Sequence, residues 1–293
     1  MKTLKQNITN LYGSQGAEWI VNLPVLITAL TNHWGLREVM PVSNMTFNYV
    51  AKAILDSGEP VVLKISYDRQ SILNEQQALA SLGFGGAIKL IDYHSKYNAL
   101  LLQQAVPGIT LKSLYPEQQN YVMDCYVETM QRLHQNQPQL NQSNYPQVAD
   151  WLTVFDSPAL QQMPVHLLDK AIVLRNKLLS APKPLIFLHG DLHHDNILKH
   201  GNEWLAIDPK GVIGEAEFEL AAFDFMYINA LATTCDVKNL FAKRVDLLAQ
   251  KSGLDAQRIN DWVFVRLILM AAWFIEDNGD PNWAIKLAQL ISE

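Results

Sequence analysis

Apolar and polar positions alternate with a period of two through much of the first third of the chain, and follow a helical period through most of the remainder. Residues 47–55 (FNYVAKAIL) and 60–66 (PVVLKIS) flank a turn at Asp56-Ser57-Gly58-Glu59. Residues 87–94 and 99–104 flank Ser95-Lys96-Tyr97-Asn98. Each pair predicts a hairpin, and the two together predict a small antiparallel sheet. Between them, residues 71–82 carry helical spacing and stop at Gly83, with Gly85 and Gly86 continuing the break. From Pro116 onward the spacing predicts helices over 116–135, 159–180, 216–233, 237–252, 256–276 and 283–292. One interruption stands out: short apolar runs at 185–188, 197–199 and 203–207 surround the polar block HGDLHHDN and the turn His200-Gly201-Asn202. The polar stretch 135–147 reads as a surface loop. Pro107 and Gly108 in the junction 105–110 place a boundary between a sheet-rich part, 1–105, and a helical part, 106–293, giving an α+β fold class.

Composition narrows the function classes. The chain has 293 residues and a net charge of −6, with no lysine or arginine run. Neither a nucleic-acid footprint nor a basic membrane-binding patch is present in it, and no protein partner is predicted; a small cationic molecule suits this field. The most apolar late stretch, 264–274, is interrupted by Arg266 and is short of the about 20 apolar residues needed to span a bilayer, so it reads as a core helix. Cys125 and Cys235 sit in apolar periodic stretches without CxxC spacing and read as buried thiols of a reducing compartment. The first twenty residues lack the apolar run of a signal peptide, so the expected location is cytoplasmic.

The chemistry concentrates in the polar block. In His189-Gly190-Asp191-Leu192-His193-His194-Asp195-Asn196 an Asp is followed five positions later by an Asn, and a second Asp, Asp208, stands in AIDPKG beyond the next pair of short strands. Its histidines, with Asp191 and Asp195, also admit a zinc reading, although no cysteine joins them and a loop fixes no ligand face. The block resembles the active-site core of the protein-kinase-like fold. By that resemblance Asp191 accepts the proton of an attacking hydroxyl, and Asn196 and Asp208 hold Mg²⁺ against the phosphates of ATP. Protein kinases carry Arg where Gly190 stands and DFG where Asp208-Pro209-Lys210 stands, so their activation-loop control is not implied. More narrowly, HGDLHHDNIL followed by WLAIDPKGVIGEAEFELA is similar to the aminoglycoside and hydroxyurea resistance kinases, whose streptomycin-phosphorylating members carry like blocks. That family implies a protein-kinase-like two-lobed fold: a nucleotide-binding lobe with a small antiparallel sheet and one helix, then a mainly helical lobe with the catalytic loop and acceptor site.

Further residues follow from the same resemblance. Lys64, the one cation in the apolar run VVLKI, is similar to the ATP-anchoring lysine of kinases, and Glu75 on the next helix is its expected ion-pair partner. The loop expected over the phosphates, PVSNMTFN, has no glycine, so Ser43, Asn44 and Thr46 are the candidate phosphate contacts. The segment LLQQAVPG resembles the hinge that reads adenine, which assigns Gln104 and Val106 to the purine edge. For the acceptor, Glu276, Asp277 and Asp280 beside Trp273 and Phe274 form one acidic group, and Glu215, Glu217 and Glu219 form a second. The family resemblance favours a streptomycin-like aminocyclitol as acceptor. A metabolic kinase of choline, methylthioribose, homoserine or fructosamine type shares the same loop, and a nucleotide-binding pseudokinase is the alternative outside enzymes.

Overall fold

The computed structural model describes all residues except 84, 136–144, 227, 278 and 293, so most of the surface loop expected at 135–147 lies outside the described residues. One compact unit comprises Met1–Ile109 with Leu198–Lys210, and a second comprises Thr110–Ile197 with Gly211–Glu293.

The first unit opens with α1 (Lys2–Trp34), a helix that the strand-dominated reading of this region did not include. Its apolar stripe is hard to see because Gly13 leaves helical geometry, Pro24 interrupts the run, and Val21 and Val25 face solvent. It ends at Gly35 in a left-handed conformation whose N–H bonds Thr31 O. Leu4, Ile8, Leu23 and Leu30 of this helix share a core with Met45, Tyr49, Ala51, Leu63 and Ile65.

The alternating segments pair as their period requires. Strands β1 (Leu36–Pro41), β2 (Asn48–Leu55), β3 (Pro60–Ser66), β4 (Leu90–His94) and β5 (Ala99–Gln103) form an antiparallel sheet in the order β1-β2-β3-β5-β4. β3 is therefore central, with Lys64 registered between Val50 and Leu100. β4 starts three residues later than the alternation predicts; Ala87 makes only an isolated bridge to Ala206. Helix α2 (Arg69–Leu82) begins two residues early because the Asp68 carboxylate accepts the N–H groups of Gln70 and Ser71. It buries Ile72, Glu75, Ala78, Leu79 and Leu82 on one face. β6 (Pro107–Thr110) closes the first passage through this unit.

The second unit is helical around one short strand pair. After α3 (Gln119–Gln135), α4 (Val148–Trp151) and α5 (Val165–Ser180), β7 (Ile186–Leu188) runs into the polar block. α5 starts later than predicted because Pro164 separates it from a 3₁₀ turn at Pro158–Gln162. The hairpin β8 (Ile197–His200) and β9 (Glu203–Ala206) joins β6 in the order β6-β8-β9. β10 (Val212–Gly214) then pairs antiparallel with β7. The helix predicted over 216–233 is two, α6 (Ala216–Leu220) and α7 (Ile228–Thr233). In the intervening segment Phe225 O accepts from Arg244 Nη1 at 2.7 Å, a tertiary bond in place of a helical one.

Helices α8 (Val237–Ser252) and α9 (Ala256–Glu276) have the predicted bounds, each capped by an Asp, and α10 (Asn282–Ser292) follows. α9 buries Val263, Phe264, Val265, Leu267, Ile268 and Leu269, as a core helix should. Among the described residues no helix is long and apolar enough to cross a membrane. Cys125 is buried as expected, but Cys235 is exposed; it lies just before the Asp236 cap of α8, outside that helix's apolar face.

Gly214 in β10 has no room for a side chain: a Cβ there would lie 2.6 Å from Val148 Cγ2 and 2.9 Å from Leu188 Cδ1. Gly214→Ala should therefore destabilise the protein by about 1–3 kcal/mol, read as a lower urea midpoint at unchanged slope. An unchanged midpoint would contradict this packing.

Candidate active site

Within the first unit, the central position of β3 buries Leu63, Lys64 and Ile65 together, so the lysine ammonium must find its partners inside the protein. α2 supplies one. Glu75 lies on its buried face, and Lys64 Nζ is 2.6 Å from Glu75 Oε2. The second is Asp208, just beyond β9, whose Oδ1 is 3.0 Å from Nζ. Burial opposes the charge on Lys64, but the carboxylates of Asp208 and Glu75 outweigh it and hold the amine above its ordinary value. Asp208 adopts a positive φ of 60°, and its side chain is about half exposed at 48%. The sequence-predicted Lys64, Glu75 and Asp208 are thus brought together in one buried-to-surface relay of charge.

Within the second unit, the loop after β7 is held from below by α6. Glu219 is fully buried; its carboxylate accepts the N–H of His189 at 2.6 Å and that of Gly190 at 2.9 Å. Burial would raise this carboxyl, but hydrogen bonds from His134 and the Gly190 amide, with the nearby His189, bring it below the usual carboxylate range. Gly190 has a φ of 84°, a conformation that a side chain at this position would strain. Asp191 N–H donates to His189 Nδ1 at 3.2 Å, and Asp191 O accepts from His193 N and from Asn196 Nδ2 at 2.9 and 3.0 Å. Asp191 and Asn196 are therefore locked into one turn. Lys112 Nζ contacts Asp195 Oδ2 at 2.6 Å on its flank.

His194 shapes this loop from inside. Its ring is fully buried, stacked on Phe223 with centroids 4.9 Å apart and edge-on to Tyr115 at 5.0 Å, and among the described residues neither ring nitrogen has a hydrogen-bond partner. Among the described residues no three His, Cys, Asp or Glu side chains gather to hold a metal ion.

The remaining candidates are dispersed. Ser43, Asn44 and Thr46 lie exposed in the loop between β1 and β2, anchored by buried Met45 and by Asn7 Nδ2, which donates to Thr46 O at 3.2 Å. Gln104 N donates to Pro60 O at 3.3 Å. The Val106 amide that the resemblance assigns to the purine edge donates to His200 Nδ1 at 3.2 Å, and Val106 O accepts from Gly201 N at 2.8 Å. Glu276, Asp277 and Asp280 are exposed at the end of α9, and Asp280 Oδ1 accepts the Asn282 N–H at the start of α10.

The second acidic group is corrected by the structure. Glu215, Glu217 and Glu219 are all buried. Glu215 is consumed by Arg258 and Trp262, Glu217 by Lys183 at 2.6 Å, and Glu219 by the loop. They brace the fold and present no acidic surface. Conversely, Arg266, which in the sequence is only an interruption in an apolar run, donates from Nη2 to Asp191 Oδ1 at 2.8 Å. No local pattern announces that contact across 75 residues.

The architecture is that of protein-kinase-like small-molecule kinases. It matches a thermostable mutant of aminoglycoside phosphotransferase APH(4)-Ia, solved with ADP and hygromycin B, with a TM-score of 0.68 at 14% identity, over 90% of this chain and 96% of that one. It likewise matches choline kinase LicA from Streptococcus pneumoniae, with a TM-score of 0.65 at 14% identity, over 94% and 98% of the two chains. The chain belongs to the aminoglycoside/hydroxyurea antibiotic resistance kinase family, whose sequence profile matches residues 33–278. Relatives include streptomycin 6-kinase of Streptomyces glaucescens, 28% identical over 98% of this chain and 95% of that protein. Hydroxyurea phosphotransferase of Kitasatospora aureofaciens is 25% identical over 95% and 82%.

The cage around His194 carries a pH dependence. Burial, with the positive charge of Lys112 added, pushes the ring down to about 3 from an ordinary value of 6.5. The folded state then stays neutral where the unfolded chain takes a proton, so stability is complete above pH 6.5 and is lost as pH falls toward 3. His194→Phe should remove this loss: relative to pH 8, the wild type should lose about 2 kcal/mol more than the variant by pH 5, measured from urea midpoints. Equal losses in the two proteins would contradict it.

Proposed function

We propose that this protein phosphorylates a hydroxyl of a streptomycin-like aminocyclitol at the expense of ATP. The observation that carries this reading is the Asp191 turn, a carboxylate and an Asn amide locked into one loop by Glu219 and their own hydrogen bonds. Family membership and the full-length similarity to streptomycin 6-kinases support the acceptor class. The ADP-bound APH(4)-Ia mutant of like fold supports nucleotide use.

In this reading Lys64, kept charged and oriented by Glu75, binds the nucleotide phosphates as a point charge. Ser43, Asn44 and Thr46 add hydrogen bonds from a loop that lacks glycine, and Gln104 and Val106 line the purine without the Val106 amide, which His200 holds. Asp191 accepts the hydroxyl proton as the acceptor oxygen bonds the γ-phosphorus. The bond from that phosphorus to the β–γ bridging oxygen breaks, and ADP leaves with the electron pair. Magnesium, when bound, supplies positive charge that neutralises the triphosphate. Asn196 and Asp208 fit as its ligands: both offer hard oxygens, and Asn196 turns its Nδ2 toward Asp191 O, leaving the amide oxygen as the donor to the ion. Glu276, Asp277 and Asp280 provide exposed negative charge for the cationic groups of the acceptor.

Coupled ADP release with streptomycin, hydroxyurea and choline as acceptors tests this. Streptomycin should support turnover, and Asp191→Asn should lower kcat by about 10²–10⁴-fold with nucleotide affinity retained. Full activity in that variant would remove Asp191 as the proton acceptor. Glu276→Gln with Asp277→Asn should raise the KM for streptomycin and leave that for ATP unchanged; no change in either would remove this acidic group from acceptor binding.

A further inference from the structure

Arg266 is an anomaly in its helix. α9 is buried over most of its length, Val265 and Leu267 on either side are apolar and enclosed, and Arg266 between them is itself only 4% exposed. An arginine so placed is expensive unless its charge and its donors are matched. Its matches are specific. Nη1 donates to Gly190 O at 3.1 Å, Nη2 donates to Asp191 Oδ1 at 2.8 Å, and the guanidinium carbon stands 5.3 Å from the centroid of the Phe218 ring. The two nitrogens of one planar fork thus grip two successive residues of the loop, one through its backbone carbonyl and one through its carboxylate.

That geometry does more than neutralise a charge. Because the guanidinium is rigid and planar, fixing Nη1 on the Gly190 carbonyl fixes where Nη2 lies, and so where Oδ1 of Asp191 must sit relative to its own backbone. Phe218 backs the fork and keeps it from swinging away. A lysine ammonium has no such plane. Glu219 holds the N–H of the same Gly190 whose carbonyl Arg266 takes, so the residue before Asp191 is held at both its N–H and its carbonyl.

We infer that Arg266 is a positioning residue for phosphoryl transfer, aiming the Asp191 carboxylate by bridging it to the Gly190 carbonyl. This inference rests on the reading of Asp191 as proton acceptor. It places a determinant of turnover on α9, far in sequence from the catalytic loop.

The test is a double-mutant cycle with chemical rescue, using full-length protein and streptomycin as acceptor. Arg266→Met, which keeps an apolar stem of similar reach, should lower kcat by about 10²-fold with the nucleotide KM unchanged, the size of effect expected from a misaimed catalytic group. In the Asp191→Asn background the same substitution should add little, because the group it aims is already lost. Millimolar guanidinium should restore about tenfold of kcat to Arg266→Ala, by refilling the fork's position beside Asp191. An unchanged kcat in Arg266→Met, or equal fractional losses in both backgrounds, would overturn the inference. If thermal melting shows Arg266→Met unfolded, Arg266→Lys decides: charge is kept and the fork lost, so kcat should still fall, and wild-type kcat would overturn it. Wild-type kcat in Asp191→Asn alone would instead overturn the reading of Asp191, an outcome separate from these.

Discussion

Glu219 is the carboxylate on which the candidate site depends. A charge with no exposure to water is stable only when its oxygens are occupied, and here they are occupied by the amides of His189 and Gly190. Those amides belong to the loop that leaves β7, where regular strand pairing ends and backbone donors would otherwise be orphaned. One buried acid on the short helix α6 therefore does for this loop what a ladder does for a strand. The positive φ of Gly190 follows from the same contact, since the chain must turn to present both N–H groups to one carboxylate.

The first unit solves a related problem with the opposite sign. Lys64 is buried because β3 is the central strand, and its charge is retained because Glu75 and Asp208 approach it from a helix and from a loop. In each unit, then, a candidate group is reached through a buried charge that regular structure puts in place. Such pairs add little net stability compared with apolar packing of the same volume. Their value lies in orientation, which is what phosphoryl transfer demands of a protein.

Much of this was legible in the sequence, for identifiable reasons. Period-two alternation on either side of polar turns gave β2, β3 and β5 nearly residue for residue, and helical spacing gave α8 and α9 with their bounds. The spacing of Asp191, Asn196 and Asp208 carried the family resemblance. What escaped was long-range or locally masked. α1 hid behind Gly13 and Pro24, and the break between α6 and α7 depends on Arg244 reaching Phe225 O. Glu215, Glu217 and Glu219 looked like an acidic surface because sequence shows charge without showing burial. Arg266 looked like a blemish in a core helix because its partners lie on another element.

Transfer of a phosphoryl group from ATP to a hydroxyl of a cationic aminocyclitol is the reaction proposed for this chain. Mass spectrometry of streptomycin after incubation with the protein, ATP and magnesium tests it most directly. The expected product is streptomycin heavier by one phosphoryl group, formed in step with ADP. ADP formation at the same rate with and without streptomycin, and no gain in mass on it, would rule out streptomycin as the acceptor.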